Sequence, residues 1–92
     1  MKQKVANYTV IIEKEKRTGS DEICFTAFAP LLGIATEAET IEQAQQVIQS
    51  LIQFHIDSLR EEGEEIPIEQ GNSFVTKTEV YLPEGAILAS NA

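Results

Sequence analysis

The sequence predicts a small α+β domain, in which one long helix packs on one face of an antiparallel sheet of three to four strands. Three observations predict this fold class. Apolar and polar residues alternate in short segments before residue 40, as they do in half-buried strands. Helically spaced apolar residues then run from Ile41 to Leu59. A last alternating segment follows, so the order is β-β-β-α-β within one domain over residues 1–92.

The first two strands are predicted over residues 7–16 and 22–29. Apolar residues of one face of the first strand stand at every second position: Tyr8, Val10 and Ile12. The turn cluster at residues 17–21 separates the strands, and its Gly19 can take a positive φ. Because the two strands are close in sequence, an antiparallel hairpin is the simplest arrangement.

A weaker third strand is predicted over residues 34–39, followed by a helix over 41–62. Thr40 and Gln43 fit a capping box, in which the Thr40 hydroxyl accepts from the amide of Gln43 and Gln43 reaches back. Gly63 is the expected residue just beyond the helix end. Apolar residues form one stripe along this helix: Ile41, Ala44, Val47, Ile48, Leu51, Ile52, Ile56 and Leu59.

A last strand is predicted over residues 73–82, with Phe74, Val80 and Leu82 on one face. The Pro83-Glu84-Gly85 run stops it, and we expect residues 86–92 to be a frayed tail.

Charge favours a protein partner over nucleic acid. Seven basic residues stand against 15 acidic ones, a formal net charge of −8, which repels phosphate backbones and suits a small basic protein. No apolar h-region follows the basic start and no apolar run is long enough to span a bilayer, so we expect neither a secretory signal nor a membrane anchor. Cys24 is the single cysteine, which fits a reducing compartment, and we expect a cytoplasmic protein.

Three features invite a chemical interpretation, and for each a structural role is favoured. His55 lies along the apolar stripe of the helix, with no carboxylate placed to orient it. Cys24 stands in a strand between apolar neighbours, without a basic group to lower its pKa. The acidic cluster at residues 61–65 lacks the alternating oxygens of a calcium loop. No phosphate-cradling glycine loop is present either. We therefore predict no catalytic, cofactor or metal site and no enzymatic activity.

Several segments together resemble the HicB-like antitoxins. The segments are Tyr8-Thr-Val-Ile-Ile-Glu, Phe25-Thr-Ala-Phe-Ala-Pro-Leu-Leu-Gly-Ile-Ala-Thr36, Glu39-Thr-Ile-Glu-Gln-Ala44, Leu51-Ile-Gln-Phe-His-Ile-Asp-Ser-Leu59 and Glu61-Glu-Gly-Glu-Glu-Ile-Pro67. They follow one another in unbroken order over about residues 7–69. The resemblance implies a partial ribonuclease-H-like fold without active-site carboxylates. It also implies a partner, because family members bind and block HicA toxins, which are small basic ribonucleases.

The sequence departs from the family pattern at four positions, and at two of them, Gln43 and Gln45, it replaces residues that are often acidic or apolar. Ala38 stands where glycine is usual, just before the helix cap, and His55 stands where an aromatic residue, commonly tyrosine, is found. Residues 76–84 look like the opening of a ribbon-helix-helix segment, the DNA-binding element of many members. Only ten residues follow Leu82, so the two helices of that motif are missing and we expect no direct DNA binding.

Two functions follow as hypotheses. The first is an antitoxin-type module that masks a HicA-like toxin through acidic side chains before and at the helix start, for which we name Glu37, Glu39 and Glu42. The second is a homo-oligomeric structural domain with no toxin, in which exposed strand edges pair between copies. The two are compatible, since an antitoxin can itself be a homo-oligomer.

Overall fold

The computed structural model describes residues 4–71 and 74–89 of the chain. Within them, three strands precede one helix: β1 (Ile11–Lys16), β2 (Ile23–Ala29), β3 (Ile34–Ala38) and α1 (Ile41–Glu61). The strands form one antiparallel sheet in the order β1-β2-β3, and α1 packs on β2 and β3. The predicted α+β class, with one long helix on an antiparallel sheet, is confirmed.

Two tight connections set the register of the sheet. Gly19 (φ +78°) lies in the β1–β2 connection, where the Arg17 amide donates to the Glu22 carbonyl over 2.8 Å. Gly33 (φ +67°) closes the β2–β3 connection by donating its amide to the Ala29 carbonyl over 2.9 Å. Both glycines adopt the left-handed conformation that side chains disfavour. The resulting register places Ala27 opposite Ile12 on one side and Thr36 on the other.

Small side chains form the centre of the core. Its buried cluster consists of four alanines and two isoleucines: Ala27, Ala29, Ala38, Ala44, Ile48 and Ile52. Ala27 of β2 and Ala44 of α1 are fully buried, so the helix can approach the sheet closely at this point. Larger apolar residues such as Phe25 surround the cluster and are partly buried. The core is therefore thin, as expected for a chain of this length.

Both ends of α1 have the hydrogen bonds that the sequence predicts. The Thr40 hydroxyl accepts from the Gln43 amide over 3.0 Å, and the Gln43 side chain accepts from the Glu39 amide, also over 3.0 Å. At the other end, Gly63 (φ +71°) donates to the Arg60 carbonyl, and the next amide, of Glu64, donates to Leu59. This pair of bonds is a Schellman motif. The predicted helix, 41–62, agrees with the observed α1 (Ile41–Glu61) within one residue at each end.

The structure corrects the two outer strands. β1 begins at Ile11 rather than at residue 7, because the chain before it bonds to residues 67 and 69 instead of to a strand. The last strand, predicted over residues 73–82, does not form: residues 74–82 are exposed and unpaired, and residue 73 lies outside the described residues. A strand needs an edge to pair with, and within one chain this segment does not reach one. Of the predicted tail, residues 86–89 are exposed and 90–92 are not described.

Candidate partner-binding surface

Arg17 forms ion pairs with two carboxylates at one end of the sheet. Its Nε lies 3.0 Å from Glu37 Oε1, and its Nη1 lies 2.9 Å from Glu22 Oε2. Glu37 chiefly, and Glu22 to a lesser degree, raise the pKa of the Arg17 guanidinium. These pairs are solvent-exposed, so they contribute little to stability. They do mean that Glu37, one of the three predicted partner-binding residues, already has a basic neighbour.

The other two predicted residues are Glu39, which lines a small pocket together with Arg17, and Glu42. Glu39 follows β3 and precedes the Thr40 cap, and Glu42 lies in the first turn of α1. Both are exposed. Within residues 4–71 and 74–89 the ion pairs are the two at Arg17, which leaves the carboxylates of Glu39 and Glu42 unpaired. The bond from the Glu39 amide to Gln43 fixes the backbone between them. We call Glu39 and Glu42 the acidic corner.

An open groove of about 1300 Å³ lies beside α1. The helix lines it with Ile48 and Ile52, which belong to the buried core, with the partly buried Ile56, and with three glutamines: Gln45, Gln49 and Gln53. Its walls are the N-terminal segment 4–10 and the connector 66–71. Among the described residues that line it, two are charged, Lys4 and Glu69. The lining is therefore a mixture of apolar and uncharged polar side chains.

Three hydrogen bonds hold the two walls of the groove together. The Tyr8 hydroxyl donates to the Pro67 carbonyl over 2.6 Å, and the Thr9 amide donates to Glu69 Oε2 over 2.6 Å. The Thr9 hydroxyl donates to the second oxygen of the same carboxylate. These bonds from Thr9 lower the pKa of Glu69. The connector is therefore fixed to the start of the chain, and sequence spacing gave no sign of this contact.

The face of the sheet that α1 leaves uncovered carries a small apolar strip. Ile11 of β1 stands opposite Phe28 of β2, which stands opposite Ala35 of β3. Ile11 and Phe28 are 42% and 43% exposed. Cys24 lies on this same face but is buried, as the sequence predicted. A second apolar surface is thus available besides the groove.

The described residues offer few groups for chemistry. Burial chiefly, together with the Glu37 carboxylate, raises the pKa of the Cys24 thiol, which disfavours the reactive thiolate. His55 is partly buried on α1, as predicted, and lies outside the lining of the groove. Across residues 4–71 and 74–89, no three His, Cys, Asp or Glu side chains are grouped closely enough to hold a metal ion. The single helix of this part of the chain is too polar to cross a bilayer.

Fold and surface define a small α+β protein that presents an acidic corner and exposed apolar surface around an open three-stranded sheet. The chain is 37% identical over 68 residues to UPF0150 protein ssr1765 of Synechocystis sp. (strain ATCC 27184 / PCC 6803 / Kazusa). The matched region covers 73% of this chain and 80% of that protein. This chain therefore belongs to the UPF0150 family. Neither a protein-family model nor a solved structure matches it.

Proposed function

We propose that this UPF0150 protein is a HicB-like antitoxin-type module that binds and masks a small basic ribonuclease of the HicA type. The resemblance over residues 7–69 supports the proposal, and so does the α+β fold that this resemblance implies. The partner would be a cytoplasmic enzyme, and a cytoplasmic location also suits a chain whose single cysteine is reduced.

The observation that carries the proposal is the acidic corner. Glu39 and Glu42 are exposed, unpaired within the described residues, and held on a fixed backbone at the β3–α1 junction. A basic partner would supply the missing counter-charges. The formal net charge of −8 would also speed the encounter with such a partner at low ionic strength.

Masking requires that this chain bind the ribonuclease and keep RNA away from it. The chain makes and breaks no covalent bond in doing so. A ribonuclease is blocked when a protein covers the basic surface that its RNA must approach. We therefore assign no catalytic, cofactor or metal role to any residue. We assign Glu39 and Glu42, with Glu37 beside them, to recognition, and Cys24 and His55 to packing.

The test is a tagged pull-down from the native cells, at low and then at high salt. We expect one basic protein of similar size, recovered in stoichiometric amount at low salt and released at high salt. The released protein should cleave RNA, and adding the purified chain back should stop the cleavage. Failure to recover a basic ribonuclease would overturn the proposal.

Charge-reversal variants locate the contact. Glu39→Lys/Glu42→Lys should lose the partner, whereas Glu64→Lys/Glu65→Lys should retain it. The control pair changes the net charge equally, but it lies beyond the far end of α1. Equal loss in both variants would mean that overall charge, and not the acidic corner, determines binding.

A homo-oligomeric domain without a toxin is the second candidate, and the exposed segment 74–82 favours it. Phe74, Val75, Val80, Tyr81 and Leu82 are all exposed there. Light scattering at tens of micromolar tests it, and a monomer would exclude it.

A further inference from the structure

One edge of the sheet is open. Within residues 4–71 and 74–89, β3 pairs with β2 alone. At the other edge, the segment before β1 is bonded to the connector after α1 through Tyr8 and Thr9. An unpaired strand edge presents a row of backbone N–H and C=O groups to which a further strand can add. β3 contains neither proline nor lysine, the residues that commonly protect such an edge.

One flank of α1 carries a stripe of exposed apolar side chains. Val47, Leu51 and Phe54 are 37%, 39% and 73% exposed. Residues three and four positions apart are neighbours on a helix surface, so these three form one continuous stripe. We call them the flank stripe. They lie beside the buried row of Ala44 and Ile48 and take no part in the core cluster.

Helix geometry places the flank stripe on the β3 side of the sheet. Each residue turns an α-helix by about 100°, so Val47 lies about 200° from both Gln45 and Gln49. Those two glutamines line the groove, whose other side is formed partly by the segment that precedes β1. The groove flank of α1 therefore faces the β1 side of the sheet. Val47 and Leu51 face the opposite side, where β3 is the edge strand.

The flank stripe also runs alongside the strand. α1 begins three residues after β3 ends and packs back on β3 and β2, so it runs roughly antiparallel to β3. The 5 residues of β3 span about 17 Å, which equals about 11 residues of helix. Val47 and Leu51 fall within that stretch of α1. A strand added at the β3 edge would therefore lie beneath both side chains.

We infer that the β3 edge and the flank stripe form a docking site for a strand of a basic partner protein, with apolar and basic side chains at alternate positions. Successive side chains of a strand point to opposite faces of a sheet. The apolar set would pack against Val47 and Leu51. The basic set would lie on the uncovered face of the sheet, which Glu37 shares with Ala35.

Charge selects a basic partner over a second copy of this chain. Glu37 lies on β3, and Glu39 follows the end of the strand. A second copy would bring the same carboxylates to the edge, together with a formal net charge of −8. A strand that carries lysine or arginine would instead meet opposite charges, which are favourable across neighbouring strands.

The inference rests on the proposed function for the charge of the partner, and it adds the surface and the backbone conformation by which that partner is held. The two can fail separately. Recovery of a basic ribonuclease, with no strand binding at β3, would overturn the docking site alone. Strand binding at β3, with no ribonuclease in the cells, would overturn masking alone.

The probe for the test is a synthetic peptide of about ten residues with valine and lysine at alternate positions. NMR titration of the full isotope-labelled chain measures its Kd, and amide hydrogen exchange locates it. Amides of β3 that face the open edge should exchange more slowly when the peptide is bound, whereas those of β1 should not change. A peptide of the same composition, with its valines and lysines in two blocks, should bind about tenfold more weakly or worse.

A pair of variants tests the flank stripe. Leu51→Lys places a charge against the apolar side chains of the added strand and should raise the Kd of the alternating peptide about tenfold or more. Gln49→Lys is the matched control, because it changes the net charge equally on the opposite flank of α1, and it should bind like wild type. Thermal unfolding checks that both variants are folded. The exchange measurement on the wild type needs no variant and stands if Leu51→Lys is unstable.

Several results would overturn the docking site. These are unchanged exchange at β3, equal binding of the two-block peptide, and equal loss in Leu51→Lys and Gln49→Lys. Protection of β3 that rises with protein concentration, without peptide, would assign the edge to a second copy. NMR contacts between β3 and residues 74–82 in the free chain would assign it to the chain's own segment. Either assignment would exclude the basic strand as the occupant.

Discussion

The carboxylate of Glu69 accepts two hydrogen bonds from Thr9, a residue that lies 60 positions earlier in the sequence. One oxygen accepts the Thr9 amide over 2.6 Å, and the other accepts the Thr9 hydroxyl. With the bond from Tyr8 to Pro67, this contact joins the connector after α1 to the segment before β1. These bonds hold together the two walls of the groove beside α1.

We expect the Glu69 contact to stabilise the protein at neutral pH and to weaken in acid. Because the Thr9 bonds lower the pKa of Glu69, the folded state gains stability above the usual value of 4.5. That gain is lost as pH falls through the lowered pKa. Urea unfolding from pH 7 to pH 3 should show Glu69→Gln less stable than wild type at neutral pH, with the difference shrinking in acid. Glu65→Gln, an exposed control, should show no such trend, and a constant Glu69→Gln deficit would contradict the linkage.

The Thr40 hydroxyl caps the first turn of α1. Its removal in Thr40→Ala leaves the Gln43 amide without that partner and should cost about 1 kcal/mol. Thermal unfolding should then show a Tm lower by about 4–8 °C. Thr40→Ser keeps the hydroxyl and should remain close to wild type. Equal losses in both variants would show that the methyl group, and not the hydrogen bond, matters.

Gly63 ends α1 in the left-handed conformation, with open space where a Cβ would stand. Gly63→Ala therefore tests backbone strain alone, and we expect a loss of about 1–2 kcal/mol. Gly71→Ala is the matched control, because Gly71 has equal space and no positive φ in that range. Chemical denaturation measures both. A Gly63→Ala protein as stable as Gly71→Ala would contradict the helix end described above.

Larger side chains in the alanine-rich contact between α1 and the sheet should destabilise the protein. Ala27 is fully buried between sheet and helix, so Ala27→Leu would force them apart and cost about 1–3 kcal/mol. Ala35 on β3 faces the uncovered side of the sheet and is exposed. Ala35→Leu should therefore be nearly neutral. Comparable unfolding midpoints for the two variants would mean that the contact is looser than the structure describes.

Local patterns in the sequence predicted most of the fold. Alternation located β2 and β3 within a residue, and the Thr40 cap and Gly63 located both ends of α1. These features depend on neighbours along the chain, so a sequence displays them directly. Residues 74–82 show the limit of this reasoning. Alternation identifies a segment suited to a strand, but it does not say which edge, or which chain, supplies the partner.

The contacts at the candidate site were less predictable. Nothing in the spacing of Arg17 and Glu37, or of Thr9 and Glu69, distinguishes them from other charged and polar residues. Such pairs arise from the sheet register and from the path of the connector, both of which are tertiary. The sequence did identify Glu37, Glu39 and Glu42 as one acidic group, and their role in binding stays a prediction.

The most direct test of the masking role is an inhibition titration. RNA cleavage by the captured basic protein would be measured while purified wild-type chain, or Glu39→Lys/Glu42→Lys, is added. We expect cleavage to stop near one equivalent of wild type and to continue with the variant. Cleavage that persists at a large excess of wild-type chain would contradict the proposal that this protein is an antitoxin.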